Sequence, residues 1–529
     1  MSNPWRLCRR PLITLSAVLI LASGCKVGPE YVTPEAPVAL SWLEDAAAPA
    51  DAARGVESAV NAAWWTSFDD QVLTALVEEA LGGNLSLQAA GLRVLEARAR
   101  RAVVVGEYYP QSQTAEAGIN SDRVSENTQG AFDNTQSAAF IGLQAMWELD
   151  FWGRFRRSIE SADAALQASA ADYDAVLVSL VSDVASSYIL VRSLQERLEY
   201  ARANVLAQRD TLELTQRRLE AGAVSELDVS TSQTTLSITE ALIPDLEDLL
   251  RQATLSLCVL LGRTPSTLEA ELGPSGLVPA PPPSIALGVP ADLLRRRPDV
   301  RRAERIAAAT SAQIGVATAD LYPSISIAGS TGFAAAEFDL TGQSSELNNI
   351  FDADSFEGFI GLAVSWPIFN YGRIENNIRA NDAVYEQAVA LYRESVLRAA
   401  ADVEASLSSF LRGRERVAHL ESAVRASQRS LELSLIQYRN GAVDFIRVNL
   451  AQTDLTEQQD ALAAAKADAA IGAVNTYRAL GGGWEVRAGA PMIPDATIDA
   501  MRKRTDWGDV LEGAGGSDLG FDRPAERPK

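Results

Sequence analysis

Residues able to do covalent or acid–base chemistry are sparse in this chain. Its 529 residues include one histidine, His419, which sits in a polar stretch of a long helical pattern and reads as a surface residue. Cys258 stands alone in an apolar helical run and reads as a small core residue. The 69 carboxylates are spread along helical patterns, as solvated faces require. There is no Gly-rich phosphate loop and no Cys/His metal spacing. The sequence gives no reason to expect an enzyme, a cofactor or a metal. A formal net charge of −22 argues against nucleic acid and anionic membrane surfaces as partners.

Cys25 is the cysteine with a chemical context. Arg6, Arg9 and Arg10 precede the apolar run Pro11 to Ala22, which ends Leu21-Ala22-Ser23-Gly24-Cys25. A basic start followed by about a dozen apolar residues reads as a signal peptide, too short to span a bilayer as a helix. Small residues before a cysteine resemble the bacterial lipobox, with Ala22 where Leu is usual and Leu21 one place earlier. In that motif the cysteine takes diacylglycerol, is freed by cleavage and is then N-acylated. Each buried CH₂ contributes roughly 0.8 kcal/mol and one chain anchors only marginally, so three acyl chains would hold the terminus firmly. Lys26 follows, and the aspartate that commonly retains lipoproteins in the inner membrane is absent. The expected location is the outer membrane of a Gram-negative bacterium, lipid-anchored and extending into the periplasm.

The elements behind this anchor are built twice. Adding 219 carries Phe140-Ile141-Gly142-Leu143 to Phe359-Ile360-Gly361-Leu362, Trp147 to Trp366, and Gly153-Arg154 to Gly372-Arg373. The same offset takes Gly222-Ala223-Val224 to Gly441-Ala442-Val443 and Leu261-Gly262 to Leu480-Gly481. Each copy changes period. Ile141, Leu143, Ala145, Trp147 and Leu149 alternate with more polar residues, as do Ile360, Leu362, Val364, Trp366 and Ile368. These read as strands with one apolar face. A second strand precedes each, over Gln111 to Asn120 and Ser324 to Phe333, making two hairpins. A heptad seam follows through Tyr173, Leu177, Leu180, Val184, Val191, Leu194 and Leu198, and from Arg154 to Glu220 no proline or glycine interrupts it. At 1.5 Å per residue such a helix is about 100 Å long. A return helix starts after Gly222 and is expected to kink or break at Pro244.

The resulting organisation is a signal peptide (1–24), a lipidated segment (25–63), a first repeat (64–262), a linker (263–288), a second repeat (289–484) and a tail (485–529) read as loosely ordered. Each repeat is a helix, a β-hairpin and a long helical hairpin. Four strands cannot close a barrel alone, and backbone groups in hydrocarbon demand closure. The chain must oligomerise, and three copies would supply twelve strands.

Several further motifs carry a family likeness. Cys25-Lys26-Val27-Gly28-Pro29-Glu30-Tyr31, Trp64-Trp65-Thr66-Ser67-Phe68, Trp147-Glu148-Leu149-Asp150 and Arg296-Arg297-Pro298-Asp299-Val300 form part of the set. Leu480-Gly481-Gly482-Gly483-Trp484 completes it. Together they resemble the TolC-like outer membrane factors of the NodT efflux-lipoprotein type. The resemblance implies an α+β membrane protein: a trimeric 12-stranded β-barrel continued by a 12-helix α-helical barrel. It implies the exit duct of a tripartite efflux pump for small molecules, joined by a periplasmic adaptor to an inner-membrane transporter of the RND type. The alternative is a type I-like protein-secretion duct of the same fold.

The resemblance also assigns residues. The turns Gly222, Ala223, Val224 and Gly441, Ala442, Val443 would contact the adaptor, and a bond between Asp228 and Tyr438 would hold the periplasmic end shut. Relatives often place acidic rings after the second turn, but here those positions hold Arg447 and Leu450, with Asp444 the nearest acid. Arg447 is then a second candidate partner for Asp228 in the gate. At the other end of the chain, mass spectrometry of the mature amino terminus is expected to show an acylated Cys25, and a free amine at another start contradicts that reading.

Overall fold

The structure is a computed structural model and describes residues 26–39, 41–43, 62–123, 125, 127, 135–273, 275–285, 296–337, 347–487 and 491–511. Residues 1–25, which hold the expected signal peptide and Cys25, lie outside the described residues. Two compact units emerge, one of Met1–Pro34, Glu96–Ala168 and Glu304–Leu391, the other of Glu35–Leu95, Ser169–Ala303 and Tyr392–Lys529.

The first unit holds the sheet. Strands β1 (Ser112–Arg123), β2 (Thr135–Glu148), β3 (Ser324–Glu337) and β4 (Phe356–Ser365) form an antiparallel meander in the order β1-β2-β3-β4. Register puts Ala115 opposite Leu143, Leu143 opposite Thr331, Ile141 opposite Phe333 and Ile327 opposite Leu362. The apolar positions therefore share one face across all four strands. Ile141, Leu143, Ile360, Leu362 and Val364 on that face are exposed. Where strands meet helices, the Trp147 indole donates to the Tyr108 carbonyl (3.2 Å) and its repeat counterpart Trp366 donates to Leu321 (3.0 Å). Trp152 stacks on Tyr322 at 4.6 Å and donates to the Pro323 carbonyl.

The segment after Cys25 is strapped to this unit. Arg157, on the first long helix, is fully buried and donates to the carbonyls of Val27 (3.0 Å) and Gly28 (3.1 Å) and to Glu30 (3.1 Å). A Cβ on Gly28 would fall 2.5 Å from the Gly315 Cα, and Gly28 has φ +87°. Only glycine lets the strap lie this close.

The other main elements are helices, several of which run from one unit into the other. Helices α1 (Gln71–Gly83) and α2 (Leu85–Gly106) lead to the sheet, and α3 (Arg154–Glu220) and α4 (Glu226–Leu260) form the first long hairpin. A short α5 (Glu269–Leu272) and α6 (Pro298–Ala319) link to the second, α7 (Arg373–Arg439) and α8 (Phe445–Ala479). The seam residues Tyr173, Leu177, Leu180, Val184, Val191, Leu194 and Leu198 are buried. Around them the burial of α3 widens to take in Val181, Tyr188, Arg192 and Glu196, because other segments wrap its middle. Glu196 there accepts from Lys466 of α8 at 2.7 Å.

Two expectations are corrected. Of the kink or break expected at Pro244, the break does not occur, since α4 continues to Leu260; proline removes one amide donor, and neighbouring turns hold the helix. The tail is not all loose. Helix α9 (Asp495–Arg504) buries Ile498 and Met501, and the Met492 carbonyl packs so closely on Gly91 that a Cβ there would lie 2.5 Å away. Arg487 pairs with the buried Asp174 at 3.2 Å, although burial pushes that carboxyl up to about 6 against the pull of Arg487 and Arg301. Sequence composition hid this because the apolar anchors are few and irregularly spaced.

The strap yields a prediction. A left-handed alanine costs roughly 1–2 kcal/mol before any clash is counted. Gly28→Ala is expected to speed tryptic cleavage after Lys26 by about an order of magnitude, as read by intact mass over time; an unchanged rate contradicts the clasp.

Candidate functional site: the paired helical tips

The two tip turns share one backbone solution. Gly222 (φ +68°) donates to the Leu219 carbonyl at 2.9 Å and Ala223 to Arg218 at 2.8 Å. Gly441 (φ +71°) donates to Tyr438 at 2.9 Å and Ala442 to Gln437 at 2.9 Å. This pattern satisfies the last helical carbonyls and needs a left-handed residue after the helix, which glycine supplies. Gly222, Ala223, Gly441 and Ala442 are exposed, as a docking surface requires. Val224 and Val443 are half-buried. They pack with Leu214, Leu431 and Leu435 against a core of Tyr438, Phe445 and Val448, so the valines join the two hairpins to each other.

The expected Asp228–Tyr438 bond is not formed within the chain. The Asp228 carboxylate accepts from the Ser225 amide and hydroxyl, both at 2.9 Å, in a capping box that starts α4. Tyr438 is 1% exposed, its ring 5.7 Å from Phe445, and its hydroxyl has no hydrogen-bond partner. The physical reason is local: a carboxylate three residues into a helix is captured by its own cap before it can reach another hairpin. Asp444 is the N-cap residue of α8 without a side-chain capping bond, and Arg447 is exposed. The offset of 219 carries Ser225 to Asp444 and Asp228 to Arg447, so the second copy has lost the box.

Arg218 is the residue that sequence reading missed. Its guanidinium lies 4.4 Å from the Tyr438 ring centroid, and it donates to the Tyr438 carbonyl. It closes the turn of α7 from the neighbouring hairpin. The available signal was a basic residue in the last turn of α3, where cations suit the carbonyl end of a helix.

Two hairpins of sheet and two of helix, with an uncovered apolar sheet face and clasped tips, define a class of outer-membrane ducts. The chain belongs to the Outer membrane efflux protein family, whose profile matches residues 76–263 and 289–482. It is 33% identical over 471 residues to Nodulation protein T of Rhizobium leguminosarum bv. viciae, covering 89% of this chain and 93% of that one. To the pyoverdine export outer membrane protein OpmQ of Pseudomonas aeruginosa it is 31% identical over 429 residues, covering 80% and 87%. The outer-membrane channel OprN superposes with a TM-score of 0.78 and 33% identity, over 87% of this chain and all of that one. The protein is an outer-membrane efflux channel of a family that is not enzymatic.

The tip chemistry predicts an ordering of variants. A cation held over a desolvated ring contributes about 1–2 kcal/mol. Arg218→Ala is expected to raise amide exchange across 214–224 and 435–448, whereas Tyr438→Phe, which deletes an unpartnered hydroxyl, leaves exchange at the wild-type rate. The reverse order contradicts the clasp.

Proposed function

We propose that three copies close the four-stranded sheet into a 12-stranded barrel in the outer membrane, continued by twelve helices in the periplasm. The observation that carries this is the sheet itself. Its outer face runs through Ala115, Ala117, Ile119, Ile141, Leu143, Ala145, Ile327, Phe333, Ile360, Leu362 and Val364 without a charge, and Arg123 stands on it only at the end of β1 away from the helices. Its edge strands β1 and β4 have no outer partner within the described residues of the chain. In hydrocarbon both demand closure. Trp147 and Trp366 then mark the inner interface, as aromatic girdles do. Exposed Leu227, Ile238 and Leu249 on α4, Leu433 and Ile436 on α7, and Ile446 and Leu450 on α8 supply the helical contacts between copies.

The tips Gly222–Val224 and Gly441–Val443 dock a periplasmic adaptor, which couples the duct to an inner-membrane transporter of the RND type. The gate is the ring of tips, in which Asp228, Tyr438, Asp444 and Arg447 take part as cap, core and exposed charges. Acylation of Cys25 anchors each copy in the membrane. Small molecules are the cargo, in keeping with the names of the relatives: pyoverdine export for OpmQ, and toluene efflux for TtgC of Pseudomonas putida at 28% identity.

The detergent-extracted protein is expected to run as a trimer by light scattering and to form discrete channels in planar bilayers. A stable monomer without channel activity contradicts barrel and tunnel together.

A further inference from the structure

The face of the sheet opposite the apolar one mixes polar side chains with alanines, glycines and Met146. It presents Thr114, Glu116, Asn120 and Asp122 on β1, Gln144 and Glu148 on β2, Ser326 and Ser330 on β3, and Glu357 and Ser365 on β4. Two large rings interrupt it, Phe140 and Phe359, which are 42% and 61% exposed. They are the same position in the two repeats, related by the offset of 219.

Each ring sits on a glycine. A Cβ on Gly118, the cross-strand partner of Phe140, would fall 2.7 Å from the ring's Cε1 and Cζ. A Cβ on Gly361, two residues after Phe359 on the same face, would fall 2.5 Å from its Cζ. The glycines let both rings lie down against the wall in place of standing off it, a seating known to shield strand glycines. A carboxylate accompanies each ring on the same face. Glu116 lies two residues before Gly118 and accepts from Gln144 Nε2 at 3.1 Å, and Glu357 lies two residues before Phe359. Both are exposed, and no lysine or arginine shares this face within the described strands.

We infer that Phe140 and Phe359, with Glu116 and Glu357, form a binding collar for organic cations inside the barrel. The inference rests on the trimeric barrel proposed above, in which this polar face lines the lumen and three copies bring six rings to equivalent positions. The chemistry selects the ligand class. A small inorganic cation keeps its water and gains little from a phenyl face. A neutral apolar solute uses the rings but not the carboxylates. A bulky, weakly hydrated ammonium uses both, through the ring quadrupole and the local negative potential.

The probe is tetrabutylammonium, added at the extracellular side of channels carrying potassium current in planar bilayers. Wild type is expected to show concentration-dependent block. Phe140→Leu/Phe359→Leu, which keeps apolar bulk but removes the rings, is expected to raise the half-blocking concentration about tenfold. Glu116→Gln/Glu357→Gln is expected to raise it as well, each variant first being shown to keep its trimer band in SDS. Block at wild-type concentrations in the leucine variant overturns the collar while leaving the barrel intact, as does a shift confined to the glutamine variant. Absence of channels from the wild type instead overturns the barrel reading on which the collar stands.

Discussion

Every main-chain amide and carbonyl inside hydrocarbon needs a partner, and β1 and β4 each leave one row without one within the described residues of the chain. The antiparallel meander makes those two edges complementary, since β1 and β4 run in opposite directions and one copy's β4 can pair with the next copy's β1. The residues that cannot face water follow the same rule: the outer face carries no charge from Ala115 to Ile119 on β1 or from Ile327 to Phe333 on β3, with Arg123 only at the far end of β1, and tryptophans at the strand ends are bonded to helix-end carbonyls. The duplication carries the constraint through the chain. Once one β-hairpin leads into one long helical hairpin, repeating the unit repeats both the unmet edge and the tip.

The two copies have since diverged where they meet. In the first, Ser225 and Asp228 build a capping box; in the second, Asp444 and Arg447 stand at the same positions without one. Tyr438 takes the place of Leu219, and its ring becomes the centre of a core that draws on both tips. Arg218 locks that core by covering the ring and holding the Tyr438 carbonyl. A tip held by packing and by one half-buried cation is braced as a single piece.

Much of this was legible from residues. The first long helix spans Arg154–Glu220, the stretch free of proline and glycine, because an uninterrupted heptad seam leaves the chain no other way to bury its apolar residues. Strands β2 and β4 were readable by alternation, whereas β1 was weak, its polar face being as prominent as its apolar one. The glycine turns at Gly222 and Gly441 were found as well. The Asp228–Tyr438 pairing was carried over by likeness, and it fails within the chain because the spacing from Ser225 to Asp228 already signals a cap. The continuity of α4 through Pro244 and the docking of the tail depend on tertiary neighbours, which no local pattern encodes.

Closure of the sheet edge between copies is the central claim, and disulfide trapping tests it most directly. A cysteine at Ala117 on β1 is combined in turn with one at Gly358, Ile360 or Leu362 on β4, all on the outer face. Mild oxidation of membranes is expected to give, for at least one register, a covalent species of three chains that reverts to monomer on reduction. Monomer or dimer alone across every register would mean that β1 and β4 do not meet between copies.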